Sequence, residues 1–150
     1  METIFNHTFT VFPEHSNYMP PMIFGGKLLA EMDICAAMTA RRFLYSSPTG
    51  ARDAVTVAVT GINFYIGAVV KDLIFLTGEV VRTGASSIDI QVIGHRERAS
   101  GEHPTSYREK ICDGFFRFVS CHPPVNGEVS RLNHGLMVEP KIDQIFLKKI

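Results

Sequence analysis

Apolar and small residues follow one another with few breaks from Gly25 to about Leu44, a pattern typical of one long helix. A loop rich in proline and polar residues precedes this run, and Ser46-Ser47-Pro48-Thr49-Gly50 ends it. Alanine, leucine and methionine, which favour helices, dominate its middle. The pattern therefore predicts a helix of about five turns.

Four segments rich in Val, Ile and Thr follow the predicted helix, and their alternation indicates β-strands. They cover residues 54–64, 73–82, 87–98 and 107–121, and residues 5–12 form a further candidate strand before the helix. Breaks rich in Gly and Ser separate the later segments and suit hairpins. We therefore expect an antiparallel meander in the middle of the chain, and an α+β fold with the helix packed on one face of the sheet.

The last part of the chain differs in character, because Pro123-Pro124, Asn126-Gly127 and Pro140 interrupt it. We expect a domain over residues 1–122 and an appendage over residues 123–150. A short helix beginning at Pro140 would carry an apolar stripe that docks on the domain or on a neighbouring subunit. The residues of this stripe are Ile142, Ile145, Phe146 and Ile150.

The composition suits one domain with an apolar core, since 45% of the 150 residues are hydrophobic. Fifteen basic residues balance fifteen acidic ones, which argues against a nucleic-acid or membrane-surface partner. Neither the three cysteines nor the six histidines fall at metal-ligand spacings, and no apolar run is long enough to span a membrane. We therefore expect a soluble, cytoplasmic protein that uses no metal.

One carboxylate, Asp33, falls in the middle of the predicted helix among apolar and small neighbours. An ionised group on such a segment is costly, so its presence suggests a function. Asp33 follows Gly26 by seven residues, so the two point nearly the same way but lie roughly 10 Å apart along the axis. That distance is too long for both to hold one carbonyl group. If both act on one substrate, we expect them to come from two subunits.

The residues around this helix resemble those of the hotdog-fold acyl-CoA thioesterases, in which an antiparallel sheet wraps a long helix. The resemblance rests on Asn17, the Phe24-Gly25-Gly26 turn and the Leu28-Leu29-x-x-Met32-Asp33 helix. It continues through residues 55–59, 63–64 and 81–92, so it covers about residues 5–120 of the chain.

This resemblance implies hydrolysis of an acyl-CoA thioester to a free acid and CoA, without a metal or organic cofactor. Asp33 would act as general base or as nucleophile, which the sequence does not separate. Asn17 of the facing subunit would orient the water or the thioester. Amides near Gly25 and Gly26, at a helix N-terminus, would stabilise the oxyanion. The assembly would be a homodimer or a higher homo-oligomer, either a tetramer or a hexamer.

The other positions that we expect to bind substrate lie in the glycine turn and on the strands. They are Phe24, Gly25, Phe64, Arg82, Gly84, Ser86 and Ser87. The family places CoA pantetheine or phosphates near Ser86 and Ser87, and Arg82, Arg96, Arg98 and Lys110 are further candidates for phosphate contacts. Plainer explanations stay open, because residues 84–87 also suit a simple hairpin and Asn17 suits an Asx-turn.

Two other functions also stay open. Dehydration of a 3-hydroxyacyl thioester on the same fold would need a histidine beside the acid, for which His15 is the nearby candidate. A non-enzymatic acyl-CoA sensor would use the appendage as its output element. The sequence does not define the acyl chain.

Overall fold

The computed structural model describes residues 1–16, 21–98 and 108–140. Within these ranges one long helix packs on an antiparallel sheet. The elements in chain order are β1 (Ile4–Thr10), a short 3-10 helix (Pro13–His15), α1 (Gly25–Leu44), β2 (Asp53–Phe64), β3 (Leu73–Thr83), β4 (Ser87–Glu97) and β5 (Glu109–Cys121). The predicted α+β hotdog fold is confirmed, and α1 has the bounds that the sequence pattern predicts.

Helix α1 buries one face because apolar and small residues recur along it every three or four positions. The buried residues are Leu28, Met32, Cys35, Ala36, Thr39, Ala40, Phe43 and Leu44. Gly78 of β3 lets the helix lie close to the sheet, since a Cβ at this position would lie only 2.1 Å from Thr39 Oγ1. The hydroxyl of Thr39 donates to the Cys35 carbonyl at 2.7 Å. Its polar group is therefore satisfied inside the core.

The strands lie in the order β1-β3-β4-β5-β2, and all neighbouring strands are antiparallel. The strands β3, β4 and β5 form the expected meander. The prediction that β2 belongs to it is wrong, because β2 pairs with β5 and forms one edge while β1 pairs with β3 and forms the other.

The cause is the connection from β2 to β3, which we call the crossover segment (residues 65–72). It is held by long-range backbone hydrogen bonds instead of closing a hairpin. The amide of Ile23 donates to the Ala68 carbonyl at 2.7 Å, and the amide of Lys71 donates to the Val11 carbonyl at 2.8 Å. These bonds carry the chain past the start of α1 to the far edge of the sheet, where β3 begins beside β1.

Residues 131–138, which we call the strap, contact the end of the domain that lies opposite the start of α1. The amide of Leu132 donates to the Ser120 carbonyl at 2.9 Å, and the amide of Val138 donates to Thr83 Oγ1 at 2.9 Å. The strap therefore covers the β3–β4 turn and the last residues of β5. The domain boundary at residue 122 stays a prediction, and the predicted apolar stripe over 142–150 lies outside the described residues.

His134 anchors the strap and is fully buried. Its Nδ1 accepts the Leu136 amide at 3.0 Å, so Nε2 carries the proton and donates to the Ser87 carbonyl at 3.1 Å. The ring also packs edge-on against Phe43 near the end of α1, with centroids 6.1 Å apart. One side chain thus joins the strap, the β3–β4 turn and the helix.

Candidate active site

Asp33 lies on the partly exposed side of α1, beside the edge strand β2. Thr56 Oγ1 donates a hydrogen bond to Asp33 Oδ1 at 2.9 Å. Among the described residues, no group hydrogen-bonds the second carboxylate oxygen. Thr56 pairs with Phe118 and Ala58 pairs with Arg117, so Val57 is the extra residue of a β-bulge. One oxygen of Asp33 is therefore held by Thr56, and the other has no partner in the described part of the chain.

Thr56 is a candidate site residue that the sequence analysis did not identify. It belongs to a run of Val and Thr residues that looks like any strand. Its contact with Asp33 joins two elements 23 residues apart and depends on how α1 lies across the sheet. No local pattern in the sequence signals that contact.

At the amino end of α1, which begins with the glycine pair, no described residue caps the first backbone amides. The N-cap residue Phe24 gives no side-chain capping bond, and the helical ladder begins with the Leu28 amide donating to the Phe24 carbonyl at 3.0 Å. The amides of the first turn therefore lack helical partners. Both glycines are exposed, and neither has the positive φ that demands glycine. Since no acceptor for their amides lies among the described residues, these amides suit an acceptor from outside the subunit.

Packing within one subunit does not explain the first glycine. A Cβ on Gly25 would lie 3.8 Å from the Phe64 ring, which is ordinary contact. A Cβ on Gly26 would press on the exposed Phe24 ring at 3.3 Å. A missing side chain at Gly25 instead leaves room for close approach to the backbone.

A cavity of about 230 Å³ lies beside the glycine pair and is lined in part by Gly25. Its lining is mostly apolar and comes from the start of α1, the end of β2 and the crossover segment. The lining residues are Met22, Ile23, Gly25, Leu28, Phe64, Tyr65, Ile66 and Gly67. The structure thus brings together Phe24, Gly25, Gly26 and Phe64, four of the positions that the sequence analysis singled out.

A polar cluster fixes one wall of this cavity. The hydroxyl of Tyr65 donates to Asp113 Oδ2 at 2.9 Å, Lys110 Nζ lies 2.8 Å from the same oxygen, and Asn63 Nδ2 donates to Oδ1 at 3.1 Å. Burial raises the pKa of Asp113, but the hydrogen bonds from Lys110, Asn63 and Tyr65 outweigh it and hold the pKa below its usual value. The same carboxylate raises the pKa of Tyr65. The phenol is therefore neutral and anchored.

The other expected substrate contacts lie at the far end of the subunit. The Gly84 amide donates to the Ser87 carbonyl at 3.0 Å, which closes a hairpin that the strap covers through His134. Phe43, beside that histidine, follows Gly25 by 18 helical residues, or about 27 Å. One subunit therefore does not bring Gly84, Ser86 or Ser87 to the glycine pair.

The candidate phosphate contacts are mostly paired with carboxylates. Arg82 Nε lies 3.1 Å from the buried Asp89, which Arg117 also holds through two hydrogen bonds of 2.6 and 2.8 Å. Arg96 is 3% exposed and donates to the Gly67 carbonyl, so it fastens the crossover segment. Arg98 lies 3.6 Å from a carboxylate oxygen of Glu109.

Two expected site residues near the glycine turn have different outcomes. Asn17 lies outside the described residues. His15 ends the short 3-10 helix, where its Nδ1 accepts the Phe12 amide at 3.2 Å and its carbonyl accepts the Phe24 amide at 2.8 Å. Within the described ranges no histidine hydrogen-bonds Asp33.

The described parts of the chain contain no cluster of His, Cys, Asp and Glu suited to a metal ion, and no helix there is long and apolar enough to cross a membrane. Burial raises the pKa of the Cys35 and Cys112 thiols to about 12, so both stay protonated at neutral pH. Neither is an activated nucleophile.

Comparison with known proteins connects this geometry to a family. A family model described as the thioesterase superfamily matches residues 21–100, which include the glycine pair, Asp33 and Thr56. An uncharacterized acyl-CoA thioester hydrolase of Haemophilus influenzae is 32% identical over 98 residues, or 65% of this chain and 59% of that protein. The chain thus spans less than two thirds of that relative's length.

Two further proteins show the same relationship. The acyl-CoA thioester hydrolase YciA of Salmonella typhimurium is 30% identical over 101 residues, or 67% of this chain and 71% of that protein. Among solved structures, a hexameric broad-specificity acyl-coenzyme A thioesterase is similar with a TM-score of 0.69 at 26% identity. The match covers 95% of this chain and 85% of that one.

Proposed function

The chain belongs to the thioesterase superfamily, and from that premise we propose that it hydrolyses acyl-CoA thioesters to a free acid and CoA. The observation that carries the proposal is the amino end of α1 at Gly25 and Gly26, which no described residue caps. It lies beside an apolar cavity, on the same helix as a carboxylate with one oxygen that lacks a partner among the described residues. Amides that lack partners suit an oxyanion, the cavity suits an apolar substrate group, and the carboxylate suits activation of water.

Asp33 takes the central chemical role in this proposal. As a general base it would accept a proton from water while the oxygen attacks the thioester carbonyl. The carbonyl oxygen would gain negative charge against the glycine amides, and the C–S bond would then break to release the CoA thiolate, which is protonated. As a nucleophile it would form an anhydride that water opens in a second step. Thr56 supports either role by holding Oδ1 and leaving Oδ2 to the reactant.

The active assembly in this proposal is a homodimer in which each site uses two chains. Gly26 and Asp33 are separated by roughly 10 Å of helix, so one chain does not offer both to a single carbonyl. The edge strand β2 leaves Val57 and Val59 49% and 44% exposed, and Ile34, next to Asp33, is 47% exposed. Such an apolar edge supports pairing of two β2 strands with their helices side by side. Higher assemblies would be built from this dimer.

The same symmetry gives the distant hairpin a role. In the proposed dimer the twofold axis is perpendicular to the helices, so they run in opposite directions and the hairpin end of one subunit lies toward the glycine end of the other. Gly84, Ser86 and Ser87 of one chain, with Arg82, would then contact the CoA whose thioester lies at the partner's glycine pair. We propose Asn17 as the residue that orients the water or the thioester.

Release of free thiol from a series of acyl-CoA esters tests the reaction itself. We expect turnover of at least one class among short, medium, long and aromatic esters, without added metal or cofactor. Absence of thiol release from every ester would overturn the proposed hydrolysis.

Mixing two inactive variants tests the shared site. Asp33→Asn and Gly26→Val proteins are each expected to lose turnover. After they are unfolded and refolded together, half of the dimers are mixed, and each mixed dimer regains one intact site. We therefore expect about a quarter of the wild-type activity. If each site came from one chain, the mixture would stay inactive, and wild-type protein refolded alone provides the control.

A further inference from the structure

We propose that the cavity beside the glycine pair is the acyl pocket and that Met22 sets the longest acyl chain it accepts. The substrate class inferred is an apolar acyl group of up to about eight or nine carbons, linear or aryl. This inference rests on the proposed hydrolysis and adds to it the substrate's size and the residue that limits it.

The chemistry of the lining favours the acyl chain over the pantetheine arm of CoA. The lining side chains are apolar apart from Tyr65, whose hydroxyl already bonds Asp113. Pantetheine carries two amide groups, and burying them without hydrogen bonds would be unfavourable. An apolar acyl chain has no polar groups that need hydrogen bonds. Because Gly25 is itself part of the lining, a carbonyl held at the glycine amides would direct its acyl group straight into this space.

The volume sets the size of that group. An apolar cavity of about 150 Å³ is known to hold benzene, a six-carbon ring. At about 230 Å³ this cavity holds roughly eight or nine carbons by the same proportion. Medium-chain and small aryl acyl groups therefore fill it, whereas a long-chain acyl group would leave most of its length outside.

Met22 closes one wall because Gly67 opposite it has no side chain. A Cβ on Gly67 would lie 2.0 Å from Met22 Sδ and 2.8 Å from its Cγ. The thioether therefore lies directly against the backbone of the crossover segment. A side chain at position 67 would push it away, and since the atom displaced is near the end of a flexible side chain, we expect the fold to tolerate this change.

The wall behind Met22 is fixed by hydrogen bonds, which makes it a limit to chain length. Met22 and Val69 form an antiparallel bridge, and the Ile23 amide donates to Ala68 at 2.7 Å. Arg96 donates to the Gly67 carbonyl from its buried position. A wall held from both sides does not move away to admit a longer chain, so the side chain at position 22 decides the remaining length.

The test is the dependence of kcat/KM on acyl length in three variants. In wild type we expect kcat/KM to rise up to about fourfold per methylene until the pocket is full, and then to level or fall. Met22→Ala removes three heavy atoms and should move the optimum to esters about three carbons longer. Gly67→Ala should drive Met22 into the pocket and shift the optimum to shorter esters. The double variant should lose the Gly67→Ala effect, because the displaced group is gone.

Met137→Ala is the matched control, since Met137 is 75% exposed on the strap and should leave the profile unchanged. Identical length profiles in wild type, Met22→Ala and Gly67→Ala would overturn the inference while leaving the hydrolysis standing. Binding of non-hydrolysable thioether analogues to Asp33→Ala protein, measured by calorimetry, separates the two proposals. A length-dependent affinity that Met22→Ala extends would support the pocket even without turnover, and equal affinities across the series would reject it.

Discussion

At its amino end α1 has no cap among the described residues, whereas its carboxyl end is covered. The amino end leaves Phe24 56% and Phe64 49% exposed, and its first amides lack helical partners. At the carboxyl end Phe43, Leu44 and His134 are fully buried. Arg52 even donates to the Leu44 carbonyl at 3.0 Å, so the last turn is capped by a side chain.

The backbone polar groups at the two ends of α1 therefore have different uses. The amides at the amino end have no acceptor among the described residues and are available to a ligand, whereas at the carboxyl end Arg52 caps the last turn and the His134 side chain joins the strap, the hairpin and the helix. We therefore expect substitutions at the amino end to change turnover more than stability, and substitutions at the covered end to do the reverse.

Asp33→Asn should have the largest effect on turnover. Loss of the carboxylate removes the base or nucleophile, and we expect kcat to fall by about 10²-fold or more with little change in the melting temperature. Thiol release and a thermal melt measure the two quantities. Asp53→Asn, at an exposed aspartate on β2, is the control. A much lower melting temperature in Asp33→Asn would instead mean that Asp33 stabilises the fold.

His134→Ala should give the largest loss of stability. The change leaves the Leu136 amide without its partner, removes one of the two hydrogen bonds that the Ser87 carbonyl accepts, and opens a void beside Phe43. We expect a loss of about 2–3 kcal/mol and a melting temperature lower by roughly 5–10 °C. His122→Ala, at an exposed histidine, is the control and should change neither the free energy of unfolding nor the melting temperature. An unchanged melting temperature in His134→Ala would contradict the role of the strap.

Removal of the strap should expose one cysteine and not another. Cys121 is buried at the end of β5, where its backbone forms an isolated antiparallel β-bridge with Arg131. Cys35 lies under the middle of α1. Burial raises the pKa of both thiols. We expect slow maleimide labelling of the intact protein at pH 8, and selective labelling of Cys121 in a chain ending at residue 122. Mass spectrometry of the labelled peptides distinguishes the two cysteines, and equal labelling would mean that loss of the strap also exposes the core under the middle of α1.

Asp113→Asn should have the smallest effect, and one that depends on pH. The lowered pKa of Asp113 means that its ion pair and hydrogen bonds stabilise the fold above the usual value of 3.8 and are lost as the pH falls through the lowered pKa. We expect a difference from wild type of below about 1 kcal/mol at pH 7 that disappears at strongly acidic pH. Urea titrations at pH 7 and pH 3 measure it. A difference that grew on acidification would have the wrong sign.

Local patterns were sufficient to predict the elements of the fold but not their order in the sheet. The bounds of α1 and the existence of each strand follow from periodicity and from turn residues close by in the sequence. The edge position of β2 depends on hydrogen bonds between the crossover segment and residues near positions 11 and 23, about fifty residues earlier. No local signal distinguishes that connection from a long hairpin.

The site divides in a similar way. Asp33 and the glycine pair could be identified because a carboxylate and two glycines are conspicuous on an apolar helix. Thr56 and Gly67 could not be, because each matters through a contact between distant segments. Arg82 and Arg96 looked like free cations in the sequence, and the structure pairs Arg82 with Asp89 and buries Arg96.

The strand order also determines what happens while the chain is being synthesised. Residues paired between β2 and β5 are at least 48 positions apart, as Phe64 with Cys112, and β1 finds its partner β3 only after the helix and β2 have been made. Such non-local pairing makes folding slow. The apolar face of α1 therefore leaves the ribosome well before the strands that bury it, and the nascent chain is most vulnerable to aggregation in that interval.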